Sequence, residues 1–170
     1  GPIGVAATDD VDALLALRPD CVVYNPMWLD VDEMVRILDA GVNLVSTAGF
    51  VTGHALADGE RQRLAEACER GGGSLFGSGI NPGWADLLAI VLASASDRID
   101  KIVVSESADT TFYDSPATER PAGFGQPIDH PDLLAMTRQG TAVFEDAVRV
   151  IADALGVELD EIVREAESAQ

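Results

Sequence analysis

Short apolar runs of β-rich residues alternate along this chain with segments of helical period, and that alternation narrows the possible folds more than any other feature. Cys21-Val22-Val23-Tyr24 is an uninterrupted apolar strand that ends at Asn25-Pro26, and such runs belong to strands covered on both faces. Val31, Met34, Val35 and Leu38 then fall at i, i+3, i+4 and i+7, one stripe of a helix, with Gly41 in the C′ position that stops it. Asn43 to Thr47 reads as the next strand, 57 to 70 as a third helix halted by Gly71-Gly72-Gly73, and Ser74 to Phe76 as another strand. Strand and helix in strict succession imply α/β layering with largely parallel strands. Ahead of this series, Val5 to Ala7 reads as the end of a strand. Thr8 and Asp9 are good N-caps for a helix over 10 to 17 with Leu14, Leu15 and Leu17 inward.

Beyond residue 76 the loop Gly77-Ser-Gly-Ile-Asn-Pro-Gly83 precedes an almost wholly apolar helix from Trp84 to about Ser94. Asn81 suits its cap, and Pro82 suits the first turn, where a missing N–H costs nothing. Lys101 to Ser105 reads as a further strand. From Ala108 to Pro131 the periodicity vanishes, and four of the eight prolines fall there, so a long loop is expected. A long helix follows over 132 to 154, with Val143, Ala147, Val150, Ile151 and Ala154 inward and Gly156 as its stop; Leu159 to Glu165 begins another element. The abrupt start at Gly1-Pro2 and finish at Gln170 read as a sheet cut on both sides, hence as a fragment of a longer enzyme.

The 170 residues carry 11 basic against 29 acidic side chains, a formal charge of −18, and 47 % are hydrophobic. That composition supports a globular core. It disfavours nucleic acid, since phosphate binding needs clustered Lys and Arg and the sole lysine is Lys101. Anionic membranes are disfavoured by the same repulsion. No apolar run reaches membrane-span length and no leader pattern opens the chain, so the expected compartment is the cytoplasm. Cys21 and Cys68 lie in apolar surroundings without a CxxC or histidine cluster and read as buried free thiols, with no metal site.

In an open parallel sheet, ligands lie beyond the carboxyl ends of the strands. Three loops qualify: Asn25-Pro26-Met27-Trp28, Ser46-Thr47-Ala48-Gly49-Phe50, and Gly77 to Gly83. Each combines small residues with an amide or hydroxyl able to bond a carboxamide or ribose; together on one sheet edge they form a binding crevice, and singly each reads as a tight turn. The Gly77 loop, followed by a helix, a strand and Glu106, imitates a dinucleotide fingerprint with altered spacing. It reads alternatively as a substrate-side or nicotinamide-side loop, or as a plain turn. His54 and His130 read as solvated. Glu106 and Tyr113 are the candidates for substrate polarity or proton traffic, with Asp109 and Asp114 beside them, against the alternative that all are solvated loop groups. No Ser/His/Asp elbow, metal-spaced histidine pair or Walker loop is present.

Taken in order, Asp20-Cys-Val-Val-Tyr-Asn-Pro, Asn43-Leu-Val-Ser-Thr-Ala-Gly-Phe, Gly77-Ser-Gly-Ile-Asn-Pro-Gly, Glu106-Ser-Ala-Asp, Tyr113-Asp-Ser-Pro and Gly123-Phe-Gly resemble the middle of dihydrodipicolinate reductase-like oxidoreductases. The resemblance is to the branch containing 2,4-diaminopentanoate dehydrogenase and native amine dehydrogenases, over nearly the whole chain. It implies the later part of a Rossmann-type parallel sheet in residues 1–80, running into an α+β substrate/oligomerisation domain in 81–170. It also implies NAD or NADP as cofactor, a small amine, imine or carbonyl substrate, and a homo-oligomer. By resemblance, Asn25 and Pro26 line the dinucleotide cleft, Thr47, Ala48 and Gly49 form the turn beside the nicotinamide, and Asn81, Pro82 and Gly83 lie between cofactor and substrate. Three departures stand out. The amino-terminal glycine-rich fingerprint is absent, so the chain alone is expected to bind cofactor weakly. Ser105-Glu-Ser-Ala-Asp-Thr-Thr replaces the histidine-rich, lysine-containing motif of true dihydrodipicolinate reductases. Phe50-Val51-Thr52 stands where the amine dehydrogenases are expected to carry a glutamate, which leaves a catalytically inactive, nucleotide-binding or dimer-forming relative as the alternative.

Overall fold

The computed structural model describes residues 4, 6–48, 52–57 and 59–167. The chain divides into two compact units, Gly1–Gly79 and Ile80–Gln170. The first is built in the order α1 (Val11–Ala16), β1 (Cys21–Tyr24), α2 (Val31–Asp39), β2 (Asn43–Ser46), α3 (Glu60–Gly71) and β3 (Leu75–Gly77). Its three strands form one parallel sheet in the order β1-β2-β3, with Val22 opposite Leu44 and Leu44 opposite Leu75. The α/β layering expected from the sequence is therefore present.

Two successive crossovers in one direction place α2 and α3 on the same side of the sheet. Met34, Ile37 and Leu38 of α2, and Leu64 and Ala67 of α3, bury against Tyr24 and Leu44, with Val22 and Leu75 packed at the margin. The other face runs through Val23, Val45 and Phe76, which are register partners across the three strands. Val23 is 69 % exposed and Phe76 57 %, which corrects the expectation that Cys21–Tyr24 is covered on both faces. An apolar run records the polarity of both faces but not whether a second layer of chain covers them. For the same reason Cys21 is exposed rather than buried, while Cys68 is half-buried against the core; both are free thiols.

Caps explain the helix ends. The Asp10 carboxylate accepts from Ala13 N at 3.1 Å, so the N-cap of α1 is Asp10 and neither Thr8 nor Asp9; Thr8 Oγ1 accepts from Asp10 N. Of its leucines only Leu15 joins the core, and Leu14 and Leu17 are exposed. The expected strand at Val5 to Ala7 lies partly outside the described residues, and Ala6 and Ala7 are not in a strand. Asp30 caps α2 through Glu33 N, and Gly41 follows the C-cap with φ 78°. The C-terminal ends of α2 and α3 then meet at Gly71, where an added Cβ would fall 1.9 Å from Leu38 O. Arg63 pairs with Asp32, and Arg70 with Asp39 at 3.0 Å, along the same helix pair.

Beneath α2, the Tyr24 hydroxyl donates to Glu33 Oε2 at 2.7 Å. Burial, then the hydrogen bond to Glu33 and its charge, push the phenol up to about 12. Its folded value lies above the unfolded one, so its contribution to stability holds below pH ~10 and is lost as pH rises from ~10 to ~12. Glu33→Gln is expected to lower the Tyr24 titration midpoint, read from phenolate absorbance; an unmoved midpoint would remove Glu33 as a cause.

The second unit contains α4 (Ala85–Ala93), α5 (Pro116–Glu119), a 3₁₀ turn at Arg120–Ala122, α6 (Leu133–Gly140) and α7 (Phe144–Leu155). The single helix expected over 132 to 154 is broken. Gly140 presses on Ala122, 2.6 Å from where its Cβ would be, and Thr141 Oγ1 donates back to Thr137 O at 2.7 Å. Within α7, Val143 before it and Ala154 are exposed, whereas Ala147, Val150 and Ile151 are half-buried. Gly156 ends α7 with φ 65°. Lys101 to Ser105 is not a strand, because a strand exists only as a ladder and no described strand pairs with it. Leu159 to Glu165 forms no helix or strand either. No described helix is long and apolar enough to cross a membrane.

Candidate functional site

At the carboxyl edge of the unit 1 sheet, the ends of β1 and β2 are joined by one side chain. Asn25 Oδ1 accepts from Thr47 N at 3.1 Å and from Thr47 Oγ1 at 2.9 Å. Ser46, fully buried, turns its Oγ to accept from Ala48 N at 3.1 Å, and its carbonyl accepts from Ser78 N at 2.9 Å. The three strand ends therefore present Asn25, Thr47 and Ser78 together, which is what a parallel sheet edge offers a ligand. Pro26 is half-buried beside exposed Met27 and Trp28. Gly49 lies outside the described residues.

Asn81, Pro82 and Gly83 belong to the second unit and form no helical cap. Asn81 and Pro82 are extended and Gly83 has φ 140°, so α4 begins only at Ala85 with Trp84 as its N-cap. The role expected of Asn81 is filled in part by Asp86, whose Oδ2 accepts from Gly83 N at 2.7 Å. Asn81 instead donates through Nδ2 to Glu106 Oε2 at 2.6 Å.

Those three side chains line a cavity of about 900 Å³ whose remaining wall is mostly apolar, with Phe124 and the α7 residues Phe144, Val148, Ile151 and Leu155. Asp86 is 1 % exposed, and its Oδ1, like Asn81 Oδ1, is buried with no hydrogen-bond donor among the described residues. Glu106 is exposed and reaches this cavity. Tyr113 is 58 % exposed and does not line it. Asp109 is held below the usual carboxylate range by the hydroxyl and backbone N–H of Thr111, which makes it a turn-forming acceptor. Asp114 and His54 are exposed, and His130 accepts from Asp132 N through Nδ1. Among the described residues no group of three or more His, Cys, Asp or Glu has the arrangement to hold a metal ion.

Asp86 is the site residue that sequence reasoning passes over. Its signal is present, a single carboxylate inside the apolar run from Trp84 to Leu92. An acid in a first helical turn is ordinary, however, and only the fold reveals that this one is buried.

No family model matches the chain, and no solved structure matches it at a significant level. Over 172 residues it is 40 % identical to an amine dehydrogenase from Streptomyces virginiae, a match that covers 94 % of this chain and 47 % of that protein. The chain thus spans about half the length of this curated relative.

Proposed function

We propose that this chain belongs to an NAD(P)-dependent oxidoreductase that exchanges hydride with the nitrogen-bearing carbon of a small amine or imine. The observation that carries this reading is the 40 % identity to an amine dehydrogenase across 94 % of the chain. On this reading unit 1 is the later part of a Rossmann-type domain and unit 2 the start of the substrate/oligomerisation domain of a cytoplasmic homo-oligomer.

The residues present fit the ribose or carboxamide part of a nicotinamide dinucleotide. Asn25 fixes both the backbone and the hydroxyl of Thr47, so two polar groups stand pre-oriented at the sheet edge. The exposed Asn25 amide nitrogen makes no hydrogen bond among the described residues and suits a carbonyl acceptor. The glycine-rich pyrophosphate turn has no counterpart among residues 1–170, so the chain alone is expected to bind cofactor weakly. When bound, the cofactor supplies the hydride acceptor or donor. The chain's own share is position and polarity. In the first unit Thr47 and Ala48 orient the nicotinamide ring; in the second, Asn81 holds Glu106 through Oε2, and Glu106 Oε1 takes the proton of the reacting nitrogen. The hydrophobic wall of the second unit excludes water from the substrate body.

Titration of NADH and of NADPH against the full-length protein, followed by fluorescence, is expected to show binding of at least one. Failure of both at ~1 mM would end the proposal. Amine-dependent reduction of NAD(P)⁺ across a panel of small amines then separates an active enzyme from the inactive relative, which would bind nucleotide without turnover.

A further inference from the structure

We infer that the cavity of the second unit holds a primary ammonium group, seated between Asp86, Asn81 and Glu106, with an alkyl or aryl body lying along α7. Asp86 Oδ2 is used by Gly83 N at 2.7 Å, but its Oδ1 has no donor although the residue is 1 % exposed. Asn81 Oδ1 is in the same condition, because the amide is turned so that Nδ2 serves Glu106. A buried oxygen without a donor is costly, and a buried carboxylate oxygen more so. Two such atoms on residues lining one cavity mark a place where donors arrive from outside the protein.

The chemistry of the missing donor follows from the acceptors. Amide oxygen, buried carboxylate and the Glu106 carboxylate are three acceptors, and an alkylammonium carries three N–H donors on one centre. Among the described residues no group of three or more His, Cys, Asp or Glu has the arrangement to hold a metal ion. The cavity's charged side chains are Asp86, Asp100 and Glu106 against Lys101. Asp100 is engaged by Arg98 at 2.7 Å, so the attraction for a cation is concentrated at Asp86 and Glu106. Phe124, Phe144, Val148, Ile151 and Leu155 then supply an apolar wall, which selects an amine with a hydrophobic body over ammonia or a polyamine.

This seat deepens the amine-oxidoreductase reading, on which its biological ligand rests. The test is calorimetric titration of hexylammonium chloride and of hexan-1-ol, which share an apolar tail and differ in the charged donor. The protein is expected to bind the ammonium at least about tenfold more tightly than the alcohol, the size of a charge-assisted hydrogen bond. Asp86→Asn retains an acceptor for Gly83 N and is expected to erase that preference, with Glu106→Gln reducing it partly. Equal affinity for the two probes in the unmodified protein overturns the seat without recourse to any variant. So does an undiminished preference in Asp86→Asn that melts normally by circular dichroism. Turnover with NAD⁺ or NADP⁺ by the full-length protein keeps the two ideas apart. Ammonium preference without turnover leaves the seat and retires the oxidoreductase; turnover without the preference does the reverse.

Discussion

Gly71→Ala is expected to destabilise the first unit by about 3 kcal/mol, the upper range for forcing an atom into a filled space. The added Cβ would stand 1.9 Å from Leu38 O and 3.0 Å from Gly41 N. Both are backbone, and Leu38 O already accepts from Gly41 N at 2.9 Å where α2 ends. No side chain can rotate away, so relief requires α3 to withdraw from α2, loosening Leu64 and Ala67 from Met34 and Leu38. Gly72→Ala is the control. Its φ of 73° resists a side chain, but a Cβ there meets nothing within 4 Å, so its cost is about 1 kcal/mol, that of the left-handed conformation alone. Urea unfolding should order the stabilities as unmodified, then Gly72→Ala, then Gly71→Ala. Equal losses would mean that the helix ends are not in rigid contact.

On the amine-oxidoreductase proposal, Glu106→Gln in the full-length protein is expected to lower amine-dependent reduction of nicotinamide nucleotide roughly a hundredfold or more, the usual effect of removing a positioned acid–base group. The glutamine keeps the length of the side chain and an oxygen for Asn81 Nδ2, which now reaches Glu106 at 2.6 Å, so the loss falls on charge and proton acceptance rather than on shape. Tyr113→Phe should change the rate little, since Tyr113 is exposed and does not line the cavity. A Glu106→Gln rate within about threefold of the original, or a larger loss from Tyr113→Phe, would reverse the assignment of the two roles.

Much of the first unit is legible in the residues, because its features are local. The stripe through Val31, Met34 and Leu38, the stop at Gly41 and the apolar runs at 21–24 and 43–46 all reappear at the expected places. The triple glycine illustrates the limit. Its helix-ending role at Gly72 is readable, whereas the close approach at Gly71 depends on α2, some thirty residues away. In the second unit the expected strand at 101–105 has no partner ladder among the described residues, and the expected long helix yields to a contact between Gly140 and Ala122.

The site divides along the same line. Residue types and spacing single out Asn25, Thr47 and Asn81 as polar groups in turns after apolar runs, and Glu106 as the residue after an expected strand that does not form. Only tertiary structure decided their pairings: Asn25 with Thr47, and Asn81 with Glu106. It alone buried Asp86 among apolar neighbours with one oxygen unanswered. Periodicity and capping act over three or four residues and so are written in the chain, whereas burial and the direction of a hydrogen bond depend on segments distant in sequence, which no local pattern encodes.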